Sequence, residues 1–500
     1  MVQIKRLKYY AGGKLIESKT EKYMPVYNPS TGEVQAEAPC CTPEEVDYTI
    51  KCASDAFPGW RDTPVTKRML VLFNFRDLVV KHFDELTDTC ARELGKNWHE
   101  SEGDIGKVKE AVELACGVPT LMMGESLMDA TKRYDTVMYR EPLGVFAGIA
   151  PFNFPGMIPM GWMAPLCIAT GNTLVLKAAS RTPLTSLRMA ELWEEAGLPA
   201  GVLNVMTCSR AESEIFLSHP DIKGISFVGT TGVGLHIYGT AAANGKRVQA
   251  QTEAKNHALV LEDAVLERSA RGVISSAYGC AGERCMALPV VVVQESVADE
   301  FVSLVAKFAS EMKIGPAYEK TTDLGPIVTA EHRASVVKWI EKGVEEGAEL
   351  VLDGRGVTVE GYEGGFYLGP TILDHVKPGM TVGDQEIFGP VLCVKRVKDF
   401  EEGLAVMNAS PFANGSVIYT QSGYYSREFA KRTHGGMVGI NVGIPVPIAM
   451  FPFSGHKDSF FGDLHVLGKD GVRFFTEVKS VTTTWFDEEQ KKATKVGTWE

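Results

Sequence analysis

The 500-residue sequence is too long for one small hydrophobic core, so we expect two or three domains. Its apolar fraction of 45% and charged fraction of 23% are ordinary for a globular protein, and its net charge of −12 argues against a general nucleic-acid or anionic-membrane binder. The residues that follow Met1 include no long apolar run, and no stretch of about 18 uncharged apolar residues occurs. We therefore expect no signal peptide, no membrane span and a cytoplasmic location.

The ten cysteines are scattered along the chain, form no CxxC pair and do not cluster with histidines. A disulfide framework and a zinc site are both disfavoured by this pattern, so we expect reduced thiols and no bound metal. One of these thiols can still be catalytic.

The N-terminal region is predicted to be helical over residues 43–115, where apolar residues recur at helical spacing. Thr42 suits an N-cap, Pro43 the first helical position and Gly95 a helix end. Residues 133–147 differ in character and predict extended strands.

Short β-rich runs alternate with helical segments from residue 144 to 262, and a second alternation begins near residue 257. This order predicts an α/β fold with parallel, doubly wound sheets and ligand sites at the carboxyl ends of the strands. The segment 471–485 is β-prone, and we expect it to pair with the strands of 133–147 or with a partner subunit.

The first candidate for chemistry is Cys285 in "GCAGERCMAL". Its neighbour Arg284 and the glycines at 279 and 282 would favour a thiolate and let a substrate approach, and a thiolate is the nucleophilic form. The alternative is a buried structural cysteine, the commoner state of this residue type.

Four further segments carry candidates, each with an ordinary structural alternative. "FVGTTGVG" places Gly229, Thr230 and Thr231 where a strand turns into a helix, which suits a pyrophosphate or a simple tight turn. "LVLKAASRTPL" ends a strand with a lysine where an adenosine ribose would lie, or forms a solvated loop. "APFNFPGMIPM" contains one asparagine, whose amide could stabilise an oxyanion or simply form a turn. "DQEIFGPVLCV" contains Glu386, which is either a functional carboxylate or an ordinary carboxylate at a strand edge.

Together these segments resemble the aldehyde dehydrogenase superfamily: "PFNFP", "SFVGTTGVG", "GERC" and "EIFGP" occur in the family's order and approximate spacing. The chain is most similar to the CoA-acylating branch that acts on malonate and methylmalonate semialdehydes. The resemblance implies an α/β fold with a Rossmann-like cofactor domain (1–127 and 148–256), an α/β catalytic domain (257–467) and a β oligomerisation arm (128–147 and 468–500). It also implies a homo-oligomer, either a dimer or a tetramer.

The resemblance further implies roles for individual residues. Cys285 would attack the aldehyde, and Asn153 would hold the oxyanion. Arg284 and Lys107 would bind the anionic end of the substrate. NAD or NADP would be bound by Ala150, Phe152, Lys177, Ser180, Arg181, Thr230, Thr252 and Glu386.

Several positions depart from the family pattern. Gln251 stands where hydrolytic members carry a glutamate that activates water, and an amide cannot act as a base near neutral pH, so we expect CoA to accept the acyl group. Ser180 replaces an acid that repels a 2′-phosphate, which leaves NADP possible. Lys107 replaces an arginine, and a lysine lacks the bidentate fork. Glu253 replaces a glycine, and we expect its side chain to point away from the site; we derive no role for His456.

The leading hypothesis is thus an NAD(P)-dependent oxidation of a short anionic semialdehyde with acyl transfer to CoA, with decarboxylation where the substrate carries a β-carboxylate. The alternative is a CoA-independent dehydrogenase of another small anionic aldehyde, such as a sulfonated aldehyde or succinate semialdehyde. A catalytically silent scaffold and a thiol esterase are hypotheses of other classes, and the presence of Cys285, Asn153 and Glu386 argues against the first of them.

Overall fold

The computed structural model describes residues 4–488 and residue 491. This part of the chain contains 16 α-helices and 23 β-strands, and the strands form five sheets. Within it, no helix is both long enough and apolar enough to cross a membrane.

The helices are numbered in chain order: α1 (Pro43–Arg61), α2 (Val65–Lys81), α3 (Phe83–Leu94), α4 (Trp98–Cys116), α5 (Val118–Leu121), α6 (Ala164–Ala169), α7 (Leu184–Glu195), α8 (Arg210–Ser218), α9 (Thr231–Ala243), α10 (Leu266–Tyr278), α11 (Glu295–Ser310), α12 (Ala330–Glu345), α13 (Thr381–Asp384), α14 (Phe400–Asn408), α15 (Gly423–Arg432) and α16 (Gly468–Phe474). A π-helical segment occupies Met157–Met163, and a 3-10 helix occupies Gly279–Gly282.

The strands are numbered in the same way: β1 (Lys5–Arg6), β2 (Tyr9–Ala11), β3 (Lys14–Ile16), β4 (Tyr23–Asn28), β5 (Glu33–Pro39), β6 (Ser126–Thr131), β7 (Tyr134–Pro142), β8 (Val145–Ile149), β9 (Thr173–Lys177), β10 (Leu203–Met206), β11 (Ile222–Val228), β12 (Arg247–Gln251), β13 (His257–Val260), β14 (Val290–Gln294), β15 (Glu349–Leu352), β16 (Thr371–Asp374), β17 (Val391–Val397), β18 (Phe412–Ala413), β19 (Gly415–Tyr419), β20 (Met437–Ile440), β21 (His456–Lys457), β22 (Phe460–Gly462) and β23 (Thr476–Thr484).

The N-terminal helices begin and end where the sequence predicts. Thr42 and Glu45 form a capping box at the start of α1, in which each side chain accepts a hydrogen bond from the other residue's backbone N–H, and Pro43 is the first helical residue. α3 ends at Gly95, whose φ of 93° lies in the left-handed region that glycine adopts without a steric cost.

The largest sheet has eight strands in the order β22-β12-β11-β8-β9-β10-β2-β3. Its five central strands are parallel, while β22, β2 and β3 pair antiparallel. Alternate residues of β8 join different apolar clusters: Phe146 packs with side chains of α2, α4, α6 and α7, and Ala147 packs with side chains of α1, α8 and α9. The sheet is therefore covered by helices on both faces, as a doubly wound fold requires.

A second sheet has seven strands in the order β15-β16-β17-β14-β13-β19-β20. All of its pairings are parallel except that of β15 with β16. Residues of β13, β14, β17 and β19 form one apolar cluster with α10, α11, α12 and α14. The second alternation of strands and helices thus forms its own doubly wound layer, as predicted.

The C-terminal segment pairs as expected, but its first residues are not a strand. β23 lies antiparallel to β7 along its whole length, from Thr476 opposite Pro142 to Thr484 opposite Tyr134. The prediction of β structure was wrong for residues 471–474, which belong to α16. The Phe474 and Phe475 rings pack around Phe146, with centroids 5.5 and 4.8 Å from it, so burial outweighs the β propensity of these aromatic residues.

Candidate active site

A cavity of about 560 Å³ lies at the carboxyl ends of β8, β9, β11 and β12. This is the edge at which open α/β sheets bind their ligands. Many of the residues predicted from the sequence meet in its wall. They are Ala150, Phe152, Asn153, Lys177, Thr230, Thr252, Cys285 and Glu386.

Cys285 follows the 3-10 helix and is held through its backbone. Its carbonyl oxygen accepts hydrogen bonds from the side-chain amides of Asn256 at 2.8 Å and Asn414 at 3.4 Å. Burial raises the pKa of the thiol to about 12; the nearby Glu386 raises it further, and Arg284 opposes both effects. The sulfur is thus placed in the cavity as a protonated thiol near neutral pH.

Asn153 is almost completely buried, and its Nδ2 donates to the carbonyl oxygen of Glu283 at 3.0 Å. This bond uses one of the two amide hydrogens. The second amide hydrogen is left for another acceptor, and Asn153 and Cys285 line the same cavity.

Glu386 is fixed on the same wall, where its Oε1 accepts the backbone N–H of Ala254 at 3.0 Å. Burial raises the pKa of this carboxyl to about 7, and the charge of Glu253 adds to the rise. Thr252 is held by its own hydroxyl, which donates to the carbonyl oxygen of Asp458 at 2.6 Å.

Glu253 belongs to the cavity wall, and its carboxylate is directed at the start of α9. Its Oε2 accepts the backbone N–H of Thr231 at 2.7 Å. Thr231 is the first residue of α9, and the N-cap residue Thr230 makes no side-chain capping bond. A helix N-terminus attracts anions, so a carboxylate is stabilised there.

Gln251 is buried at the end of β12. Its Nε2 donates to the carbonyl oxygen of Phe453 at 3.2 Å, and its Oε1 has no hydrogen-bond partner in the described part of the chain. The orientation of this amide is therefore set by the Phe453 carbonyl, which an ionised glutamate at the same place would repel.

Of the twelve residues to which the resemblance gives a role, four lie outside the cavity wall. Ser180 and Arg181 follow β9 without lining the cavity. Arg284 is half-buried, with its Nη2 3.1 Å from the Cys280 sulfur and 3.6 Å from Glu100 Oε1. Lys107 forms an ion pair of 2.7 Å with Glu110. His456 is exposed on β21, where its Nδ1 lies 3.1 Å from the carbonyl oxygen of His434.

The wall also contains residues that the sequence did not single out. Arg210 and Glu214 come from α8, and His332 and Trp339 come from α12. The pKa of His332 is lowered by burial, and its Nε2 lies 3.6 Å from Glu283, whose pKa burial raises well above the usual range. These residues lie on amphipathic helices with no motif of their own, although the capping box at the start of α8 does predict an ordered turn beside Arg210.

Known proteins resemble this chain over almost its whole length. The sequence profile of the aldehyde dehydrogenase family matches residues 15–481. Malonate-semialdehyde dehydrogenase 2 of Geobacillus kaustophilus (strain HTA426) is 48% identical over 483 residues, which cover 96% of this chain and 99% of that protein. The protein of the same name from Oceanobacillus iheyensis is 47% identical over 482 residues, 96% of this chain and 99% of that one.

Two solved structures are similar over nearly the whole chain. A putative methylmalonate-semialdehyde dehydrogenase from Sinorhizobium meliloti 1021, complexed with NAD, has a TM-score of 0.96 at 40% identity and covers 97% of this chain and 99% of its own. The methylmalonate-semialdehyde dehydrogenase from Oceanimonas doudoroffii has a TM-score of 0.95 at 40% identity and covers 98% and 100%.

The chain therefore belongs to the aldehyde dehydrogenase family. It is an NAD(P)-dependent enzyme of that family, and both the fold and the family predicted from the motifs are confirmed.

Proposed function

We propose that the enzyme oxidises a short anionic semialdehyde of the malonate or methylmalonate type and transfers the acyl group to CoA. The observation that carries the acyl transfer is Gln251: a buried amide, held by the Phe453 carbonyl, occupies the position where hydrolytic relatives use a carboxylate. The names of the relatives support the substrate class.

In the proposed chemistry, the Cys285 thiol loses its proton to solvent, and the thiolate attacks the aldehyde carbon. The resulting oxyanion accepts a hydrogen bond from the free Nδ2–H of Asn153. A nicotinamide dinucleotide held in the cavity would supply the hydride acceptor for this oxidation, and Cys285 would keep the acyl group as a thioester. The thiolate of CoA then attacks the thioester, and the Cys285 sulfur leaves and regains its proton. Where the acyl group carries a β-carboxylate, CO₂ can be lost because the thioester carbonyl stabilises the enolate that forms.

We assign the dinucleotide to the cavity, because its volume, the ends of four parallel strands and the N-terminus of α9 fit such a ligand. By the family's pattern, Glu386 would contact the nicotinamide ribose and Thr230 the pyrophosphate. Lys177 and Arg210 are the cations in the wall, and the residue at 180 is a serine rather than an acid. We therefore infer that NADP is accepted as well as NAD.

We assign the anionic end of the substrate to Arg284 and Lys107. Burial alone would lower the pKa of Arg284, but the neighbouring Cys280 and Glu100 raise it, so the guanidinium stays charged. Arg284 directly precedes Cys285, so one short segment would hold both ends of the substrate. Glu100 and Glu110 already pair with these two cations, which favours a compact anion that can share them.

The acyl transfer is tested by following NAD(P)H formation with malonate semialdehyde, methylmalonate semialdehyde, succinate semialdehyde and a sulfonated aldehyde, each with and without CoA. For the true substrate we expect steady turnover to acyl-CoA with CoA. Without CoA we expect a burst of about one equivalent per active site followed by slow release, because the thioester accumulates on Cys285. Equal steady rates with and without CoA would contradict the proposal, and Cys285→Ala, the control, should show neither phase.

The second candidate is a CoA-independent dehydrogenase of another small anionic aldehyde. It is favoured by one observation: the carboxyl of Glu386, with a pKa of about 7, lines the same cavity as Cys285 and could take a proton from water. Gln251→Glu separates the two candidates. In an acylating enzyme this change should convert the burst into steady release of acid, whereas an enzyme that already hydrolyses its thioester should show no such gain.

A further inference from the structure

Glu253 places a negative charge inside the cavity at a specific backbone donor. Its carboxylate accepts the N–H of Thr231 at 2.7 Å, and its own carbonyl oxygen accepts the hydroxyl of Ser459 at 2.7 Å. Glu253 is half-buried and belongs to the wall of the cavity that Cys285 and Glu386 also line. This carboxylate is therefore anchored at both its backbone and its tip.

The backbone N–H of Thr231, which the Glu253 carboxylate occupies, is a donor of the kind that a bound phosphate would use. Thr231 begins α9 directly after β11, and the first backbone N–H groups of a helix that follows a strand in this way bind pyrophosphate in doubly wound folds. Thr230 does not cap these groups with its side chain. The capping anion comes instead from the chain segment after β12, which is a separate strand of the sheet.

A carboxylate and a pyrophosphate cannot both accept this N–H at hydrogen-bond distance without strong repulsion between like charges. Glu386 already adds a second carboxyl to the same cavity. An incoming dinucleotide must therefore displace the Glu253 side chain from Thr231 or bind farther from the helix.

We infer that Glu253 competes with the pyrophosphate of the cofactor for the N-terminus of α9 and so weakens dinucleotide binding to the free enzyme. The inference rests on the proposed placement of NAD(P) in this cavity. It makes Glu253 a determinant of cofactor affinity, and it means that the carboxylate returns to Thr231 when the reduced cofactor leaves.

The test compares ligands that differ in phosphate. Calorimetric titrations with ADP-ribose and with adenosine are made on the wild-type enzyme, Glu253→Gln and Glu253→Ala. We expect both variants to bind ADP-ribose about tenfold more tightly, which corresponds to about 1.4 kcal/mol, because the carboxylate that competes for the helix N-terminus is removed. Adenosine has no phosphate, so its dissociation constant should not change, and its binding also checks that each variant is folded.

Glu267→Gln is the matched control, because it removes an exposed glutamate from the first turn of α10 outside the cavity. Its ADP-ribose affinity should equal that of the wild type. If both Glu253 variants bind ADP-ribose like the wild type, or more weakly, the inference is wrong although the cofactor site stands. If the wild type binds neither ligand, the proposed cofactor site fails and the inference falls with it.

Discussion

The surroundings of Cys285 favour the thiol over the thiolate in the free enzyme. Burial is the main cause, Glu386 adds a like charge, and Arg284 acts in the opposite direction, which together leave the pKa at about 12. Arg284 shares its charge with Cys280 and Glu100, so it offsets only part of the burial. The proposed nucleophile is thus mostly protonated near neutral pH, which slows its reaction with electrophiles.

Glu386→Gln should therefore make Cys285 more reactive toward iodoacetamide. The glutamate is ionised only above its pKa of about 7, so it raises the thiol pKa at pH 8 but not at pH 6. We expect a roughly threefold to tenfold faster alkylation of the variant at pH 8 and equal rates at pH 6, because each pKa unit changes the thiolate fraction about tenfold. The rate is measured by mass spectrometry of the Cys285 peptide, with Cys285→Ser as the blank. A variant that reacts no faster than the wild type at pH 8 would contradict this account.

The candidate site could be predicted in part because its residues sit in local motifs. Asn153, Cys285 and Glu386 are recognisable from a few neighbouring residues, and the structure brings them to one cavity. The direction of the Glu253 side chain could not be predicted, since it depends on a hydrogen bond from the N–H of Thr231, which lies on another element. The same holds for Arg284, whose partner Glu100 lies on α4, whereas Lys107 and Glu110 form a local pair within α4.

Among the elements, α4 has a particular connection to the segment that carries Asn153. Asp104 on this helix pairs with Lys96 Nζ at 3.0 Å, and both side chains are buried. The other carboxylate oxygen of Asp104 accepts the N–H of Met157 at 2.5 Å, and Lys96 Nζ lies 3.4 Å from the centroid of the Phe154 ring. The ion pair therefore fixes the backbone on the C-terminal side of Asn153.

Asp104→Asn should lower both stability and activity. Breaking a buried ion pair leaves an unpaired charge on Lys96 and typically costs about 3–5 kcal/mol in the free energy of unfolding. Urea unfolding measures this cost, and kcat should fall because Asn153 is no longer held in place. Asp55→Asn, which removes the acid from an exposed pair with Lys51, is the control and should change neither quantity measurably. If Asp104→Asn lowered the free energy of unfolding and kcat no more than Asp55→Asn, the buried pair would contribute neither to stability nor to activity.

Most elements could be predicted because their signals are local. The capping residues of α1, the glycine after α3 and the alternation of apolar strands with amphipathic helices all act within a few residues. The failures are contacts over long distances: α16 is helical because Phe474 packs on Phe146, and β22 joins β12 from far along the chain. Propensity yields to such tertiary packing.

For the whole molecule, the three-stranded sheet β23-β7-β6 leaves apolar side chains uncovered. Every residue of β6 is exposed, including the apolar residues Leu127 and Met128. On the other two strands of the sheet, Tyr139, Val478 and Val481 are exposed as well. Among the described residues, β6 is also an edge strand of this sheet. A sheet of this kind is a place for pairing with another chain, which fits the expected dimer or tetramer.

The oligomer is tested by size-exclusion chromatography with light scattering at micromolar concentration. We expect the wild type to have at least the mass of a dimer, and Leu127→Glu combined with Met128→Glu to shift it toward the monomer because the charges cannot be buried at the interface. Leu70→Glu, at an exposed position of α2, should leave the mass unchanged. A monomeric wild type, or a double variant that keeps its mass, would rule out this sheet as the interface.

The pairing of β22 with β12 has a consequence for the synthesis of the protein. β12 ends at Gln251, but its neighbour β22 spans residues 460–462, so about 200 further residues must be synthesised before this edge is closed. At roughly 5–20 residues per second, translation leaves the edge open for on the order of 10–40 s. During that time the open edge of β12 can mispair. A nascent chain arrested before β22 would emerge from the ribosome with its eight-stranded sheet unfinished.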